Sequence, residues 1–93
     1  MARADMQTYD LVVIGGAAGG GRISADDLFQ LGIRHSIGHE APVDVVSAHK
    51  WFNLAALCGN AAAKDYRAEL AHEMSKTQVA QAQKLAREWL RSH

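Results

Sequence analysis

Three groups of residues in this chain have types and spacings that could do chemistry. The segment "YDLVVIGGAAGGG", Tyr9 to Gly21, has the look of a strand running into a glycine turn, the opening of a dinucleotide-binding unit. Five histidines invite a metal reading, with His35 and His39 at i, i+4. A single cysteine, Cys58, invites a nucleophile reading.

Each reading meets a physical obstacle. A Rossmann turn needs a strand, a glycine fingerprint, a helix, a second strand and an acid for the ribose. Leu11–Ile14 can be the first strand, but Ala17 stands where the second glycine of the fingerprint belongs. "SADDLFQLG" can be the helix and Glu40 the acid. The second strand would then be "IRHSIGHE", which is polar and interrupted by Gly38, whereas a buried parallel strand is a continuous apolar run. No later run of Val and Ile restores the sheet, and two strands alone are not stable in water. Nucleotide binding through Gly15–Gly21 is therefore the alternative reading. The preferred one is a flexible or weakly extended glycine-rich arm over 1–22, with its glycines serving as a linker.

For metal, Gly38 separates His35 from His39, and no acid or cysteine completes a four-ligand set. His49 and His72 stand alone, so surface or core-edge roles are expected for the histidines. His35 is the most interesting of them, since an imidazole titrates in a shifted range if buried. Cys58 falls at the C-terminal end of a helical segment, the wrong end of the helix dipole to activate a thiolate, and is expected to be a small core residue. Serine, histidine and aspartate occur without a nucleophile-elbow context. Asp26 and Asp27 suit a helix N-terminus, and Glu69 and Glu73 a solvated face. No catalytic, cofactor-binding or metal-binding residue is assigned.

The elements behind these residues are helical. The chain has 93 residues, 48% of them hydrophobic, with ten basic and ten acidic side chains, which describes one small folded domain. Zero net charge gives no electrostatic case for nucleic acid or an anionic membrane. No segment is long and apolar enough to span a bilayer, and one thiol with no signal-peptide pattern points to the cytoplasm. From Ser24 onward the apolar period is that of helices. Ser24 with Asp27 is a cap-like start for a helix whose stripe holds Leu28, Phe29, Leu31 and Ile33, ending at Gly38. Gly32 inside it costs about 1 kcal/mol against Ala and implies close approach by another helix.

Asp44 caps a second helix from about Val45 to Cys58, terminated by Gly59 and Asn60. Ala48, Trp51, Phe52 and Ala55 lie on one face and Leu54, Leu57 and Cys58 on another, so neighbours are expected on more than one side. A third helix, about Ala61 to Met74, carries Ala63, Tyr66, Leu70 and Met74. A fourth starts at Ser75 with Gln78 at capping-box spacing and places Val79, Ala82, Ala86, Trp89 and Leu90 on its stripe. Short breaks predict antiparallel neighbours. Trp51 belongs to the core by its spacing. Trp89 can close the core or anchor a partner, and packing is preferred because so small a chain needs its large side chains inside.

"LGIRHSIGHEAPVDVVSAHKWFNLAALCGNAAA", Leu31 to Ala63, resembles a Sel-one-like repeat, a relative of the tetratricopeptide repeats. The match lies in Leu31-Gly32, Gly38, Pro42, Asp44, Ala48, Trp51-Phe52, Ala55-Ala56, Gly59 and Ala63. Departures are His35 for the family's tyrosine, Ala41 for its valine, and Arg67 and Ala68 where leucine and glycine begin a next repeat. The resemblance implies one full repeat and a degenerate half, closed by a C-terminal capping helix, as in small bacterial proteins with one such repeat. It implies an all-α domain over 23–92 of about four antiparallel helices, solenoid-like, without chemistry of its own. Such a module serves as adaptor or scaffold, binding a protein or peptide partner, a second copy of itself included.

Overall fold

In the computed structural model, residues 23–38 and 41–93 are described, and among them the chain is all helical: α1 (Ala25–Ile37), α2 (Val45–Leu57), α3 (Ala61–Ala71) and α4 (Lys76–Ser92). The glycine-rich segment 1–22, His39 and Glu40 lie outside the described residues. No described helix is long and apolar enough to cross a membrane.

Each helix starts where a short polar side chain satisfies amides that the first turn leaves orphaned. Ser24 Oγ accepts from the Asp27 N–H at 3.1 Å while the Asp27 carboxylate accepts from the Ser24 N–H, also at 3.1 Å. Ser75 and Gln78 repeat that reciprocal arrangement at the start of α4. The Asp44 carboxylate accepts from both the N–H and the hydroxyl of Ser47. Asn60, expected only to stop α2, instead caps α3 through the Ala63 N–H at 2.9 Å. Gly38 ends α1 at φ 73°, a left-handed conformation that needs no Cβ, and its N–H bonds the Arg34 carbonyl.

Helix α2 is the hub. It packs extensively on α1, α3 and α4, whereas those three touch one another only in passing. The core follows from this: Leu28 of α1, Ala48, Trp51, Phe52, Leu54 and Ala55 of α2, Ala63 of α3 and Ala86 of α4 form one buried cluster. Gly32 has the close neighbour its position implies. A Cβ built there would sit 2.5 Å from Phe52 Cε1 and 3.0 Å from Cγ, so the Phe52 ring occupies the space a side chain would need.

Several expectations are corrected. Helix α3 stops at Ala71, not Met74, because residues 72–74 close as a turn in which the N–H groups of His72, Glu73 and Met74 bond carbonyls three residues back. Helices α3 and α4 are not packed neighbours despite the short break between them, since α4 lies along α2 instead. On α2 the second apolar face is buried at Leu54 but not beyond: Leu57 is 64% exposed and Cys58 is exposed, where the helix ends and no described residue covers them.

Candidate functional site

Two places bring chemically informative side chains together. The first is the seam between α1 and α3. Phe29 of α1, Phe52 of α2 and Tyr66 of α3 form a ring triangle with centroid separations of 5.7, 5.1 and 5.5 Å. The Phe29–Tyr66 pair meets edge to face at 90°, the arrangement the ring quadrupoles favour. One turn away, Asn60 Nδ2 donates to Asp26 Oδ1 at 3.0 Å, tying the start of α3 to the start of α1. Tyr66 is fixed from two sides yet remains 46% exposed, so a rigid aromatic edge faces solvent.

The second is polar and lies between α2 and α3. Arg67 Nη1 donates to Asn53 Oδ1 at 2.6 Å. His49 lies four residues before Asn53, on the same face of α2. Expected at the surface or core edge, His49 is instead 3% exposed, the one buried polar residue among those described, and its Nδ1 has no hydrogen-bond partner. Desolvation by burial pushes its pKa below the ordinary value, and the Arg67 charge pushes it further the same way. Sequence offered a faint signal of this: at 100° per residue His49 falls between the Phe52 and Asn53 directions, on the side of α2 that another helix covers.

The remaining candidates separate. His35 is half-buried, and burial lowers its pKa; Asp44 pulls the other way, while Lys50 and Arg34 add to the lowering. Burial pushes Asp44 up, but the Ser47 hydrogen bonds, with His35 and Lys50, outweigh it and hold the carboxyl below its usual range. His72 is exposed on the turn after α3. Among the described residues no group of three or more His, Cys, Asp or Glu is placed to hold a metal ion. Trp89 meets Trp51 edge to face at 6.0 Å and carries the His93 ring stacked 4.2 Å away on it. Lys50 Nζ stands 3.9 Å from the centroid of a Trp51 ring. Trp89 thus packs against the core. Large apolar side chains left outside it are Ile37, Val43, Leu57, Tyr66 and Leu90.

Comparison with known proteins adds no relative: no family model, no curated protein and no solved structure matches this chain.

Proposed function

We propose that this chain is a non-enzymatic protein–protein interaction module of the Sel-one-like repeat type, an adaptor or scaffold working in the cytoplasm. On this reading α1 and α2 form one helix–turn–helix unit, α3 begins a second, and α4 closes the stack in place of a full repeat. The observation that carries it is Tyr66 at the α1–α3 seam, ordered by two aromatic neighbours but nearly half exposed. An aromatic ring already fixed in place loses little conformational entropy when a partner covers it, which is what a binding hot spot requires. The partner is a peptide or protein segment offering apolar groups to that edge, and a second copy of this chain qualifies.

A photo-crosslinking phenylalanine analogue at Tyr66, compared with the same analogue at Lys64, tests this directly. The two positions are about 200° apart around α3. Adducts from position 66 and few from position 64 are expected in cells that make the full chain. Equal labelling at both, or no adduct together with a monomer by sedimentation at cellular concentration, rejects the proposal.

A further inference from the structure

The polar cluster between α2 and α3 suggests more than packing. A neutral imidazole carries one N–H and one bare nitrogen, and a bare Nδ1 without a partner costs a modest amount when buried. Protonation changes the account, because both ring nitrogens then carry N–H and the whole ring is a buried cation. At His49 that cation would have an unpaired Nδ1–H in a site excluded from water. The charge bearing on it from α3 is the Arg67 guanidinium, of the same sign. Among the described residues, α1, α2 and α4 present His49 with no carboxylate whose field offsets it. A guanidinium stays charged in proteins, and the Arg67 bond to Asn53 holds it on this face of α2.

Helix α3 also buries fewer apolar side chains than α2 or α4. It contributes a single fully buried side chain, Ala63, while Tyr66 is nearly half exposed and Leu70 half-buried. It packs extensively on α2, and to α1 it is joined by the Phe29–Tyr66 pair and the Asn60–Asp26 bond. Helix α4 buries more, through Ala82 and Ala86, and sets Trp89 on Trp51. Regions with few buried apolar contacts open at lower free energy than the rest of a fold.

We infer that His49 is an acid-sensitive latch: protonating its imidazole loosens α3 from α2, while α1, α2 and α4 stay together. The sign follows from proton linkage. A folded-state pKa held below the ordinary imidazole value of about 6.5 means that the loosened state binds more protons as acidity rises. The stability of the α3 contact is fully present above about pH 6.5, falls as pH drops below that value, and stops falling once the folded-state pKa is passed. Because α3 carries Tyr66, acid also dismantles the aromatic seam, although the latch does not depend on the seam having a partner.

The test is hydrogen exchange followed by NMR on the full chain between pH 7.5 and 5.0, with the imidazole titrations recorded in parallel. Protection factors within Ala61–Ala71 should fall by up to about tenfold per pH unit inside the titration window, while those around Trp51 and Trp89 hold. His49→Gln should abolish this fall. Arg67→Gln should reduce it, by removing the like charge and letting the His49 pKa recover. His35 also titrates low but sits on α1 beside Asp44, so its contribution survives in both variants. Should His49→Gln not fold, the wild-type His49 titration and Arg67→Gln still decide. Titration of His49 at or above the ordinary imidazole value of about 6.5, uniform loss of protection in all four helices, or an unchanged α3 profile in the variants overturns the latch.

Discussion

Single residues decide where this fold is tight. Gly32 is the clearest case, because α1 would gain about 1 kcal/mol in helix propensity from alanine there. The Phe52 ring fills the position of the missing methyl, however, and Phe52 is 1% exposed with its own neighbours on every side. Overpacking of a core costs about 1–3 kcal/mol and so outweighs the propensity gain. Gly32→Ala is expected to lower stability in urea unfolding, and to do so much less in a Phe52→Leu background. Equal losses in both backgrounds would show that the ring is not the obstacle. This close approach was legible beforehand, since a glycine inside an amphipathic helix has few other uses. Cys58 was not: the stripe arithmetic that put it on a buried face takes no account of whether a neighbour extends that far along α2. His49 failed in the opposite direction, because a polar side chain is assigned to solvent by type, whereas its burial depends on tertiary packing.

At the level of helices, starts were legible and ends less so. Ser24, Asp44 and Ser75 announce themselves through side-chain chemistry that acts within one turn, and all three cap their helices. The end of α3 has no such marker, so the apolar spacing out to Met74 suggested a longer helix than the turn at His72 allows. Asn60, which its place after Gly59 marks as a stop, is a start with a second role: its Oδ1 caps α3 while its Nδ2 reaches Asp26 on α1. Losing a capping side chain costs about 0.5–2 kcal/mol. Ser75→Ala removes one cap bond only, so about 1 kcal/mol is expected. Asn60→Ala removes a cap and the tie between two helices, and should cost the upper end of that range, near 2 kcal/mol. Chemical denaturation of the two variants side by side checks the order, and a smaller loss for Asn60→Ala would mean the Asp26 bond adds nothing.

For the molecule as a whole, the helical class was legible from periodicity and the several neighbours of α2 from its apolar faces, while the choice of α2 over α3 by α4 was not. Short connections suggest that consecutive helices pair, yet α4 packs on α2 and not on α3. The Trp51 ring meets Trp89, and Ala82 and Ala86, both almost fully buried, let α4 approach closely. The same hub predicts unequal effects of trimming the two ends. A chain stopping after Ser75 loses the Trp89 partner of Trp51 and the alanine surface beside it. Each large apolar side chain re-exposed costs about 1.5–3 kcal/mol, against a total of about 5–15 kcal/mol for a small domain. That form should lose the near-ultraviolet dichroism of the tryptophan pair and bind a hydrophobic dye. A chain starting at Arg22 keeps every residue of the cluster from Leu28 to Ala86 and should retain dispersed NMR peaks at unchanged positions from Ser24 onward. If the second chain collapsed and the first stayed folded, the centre of this molecule would lie at its glycine-rich end and not at α2.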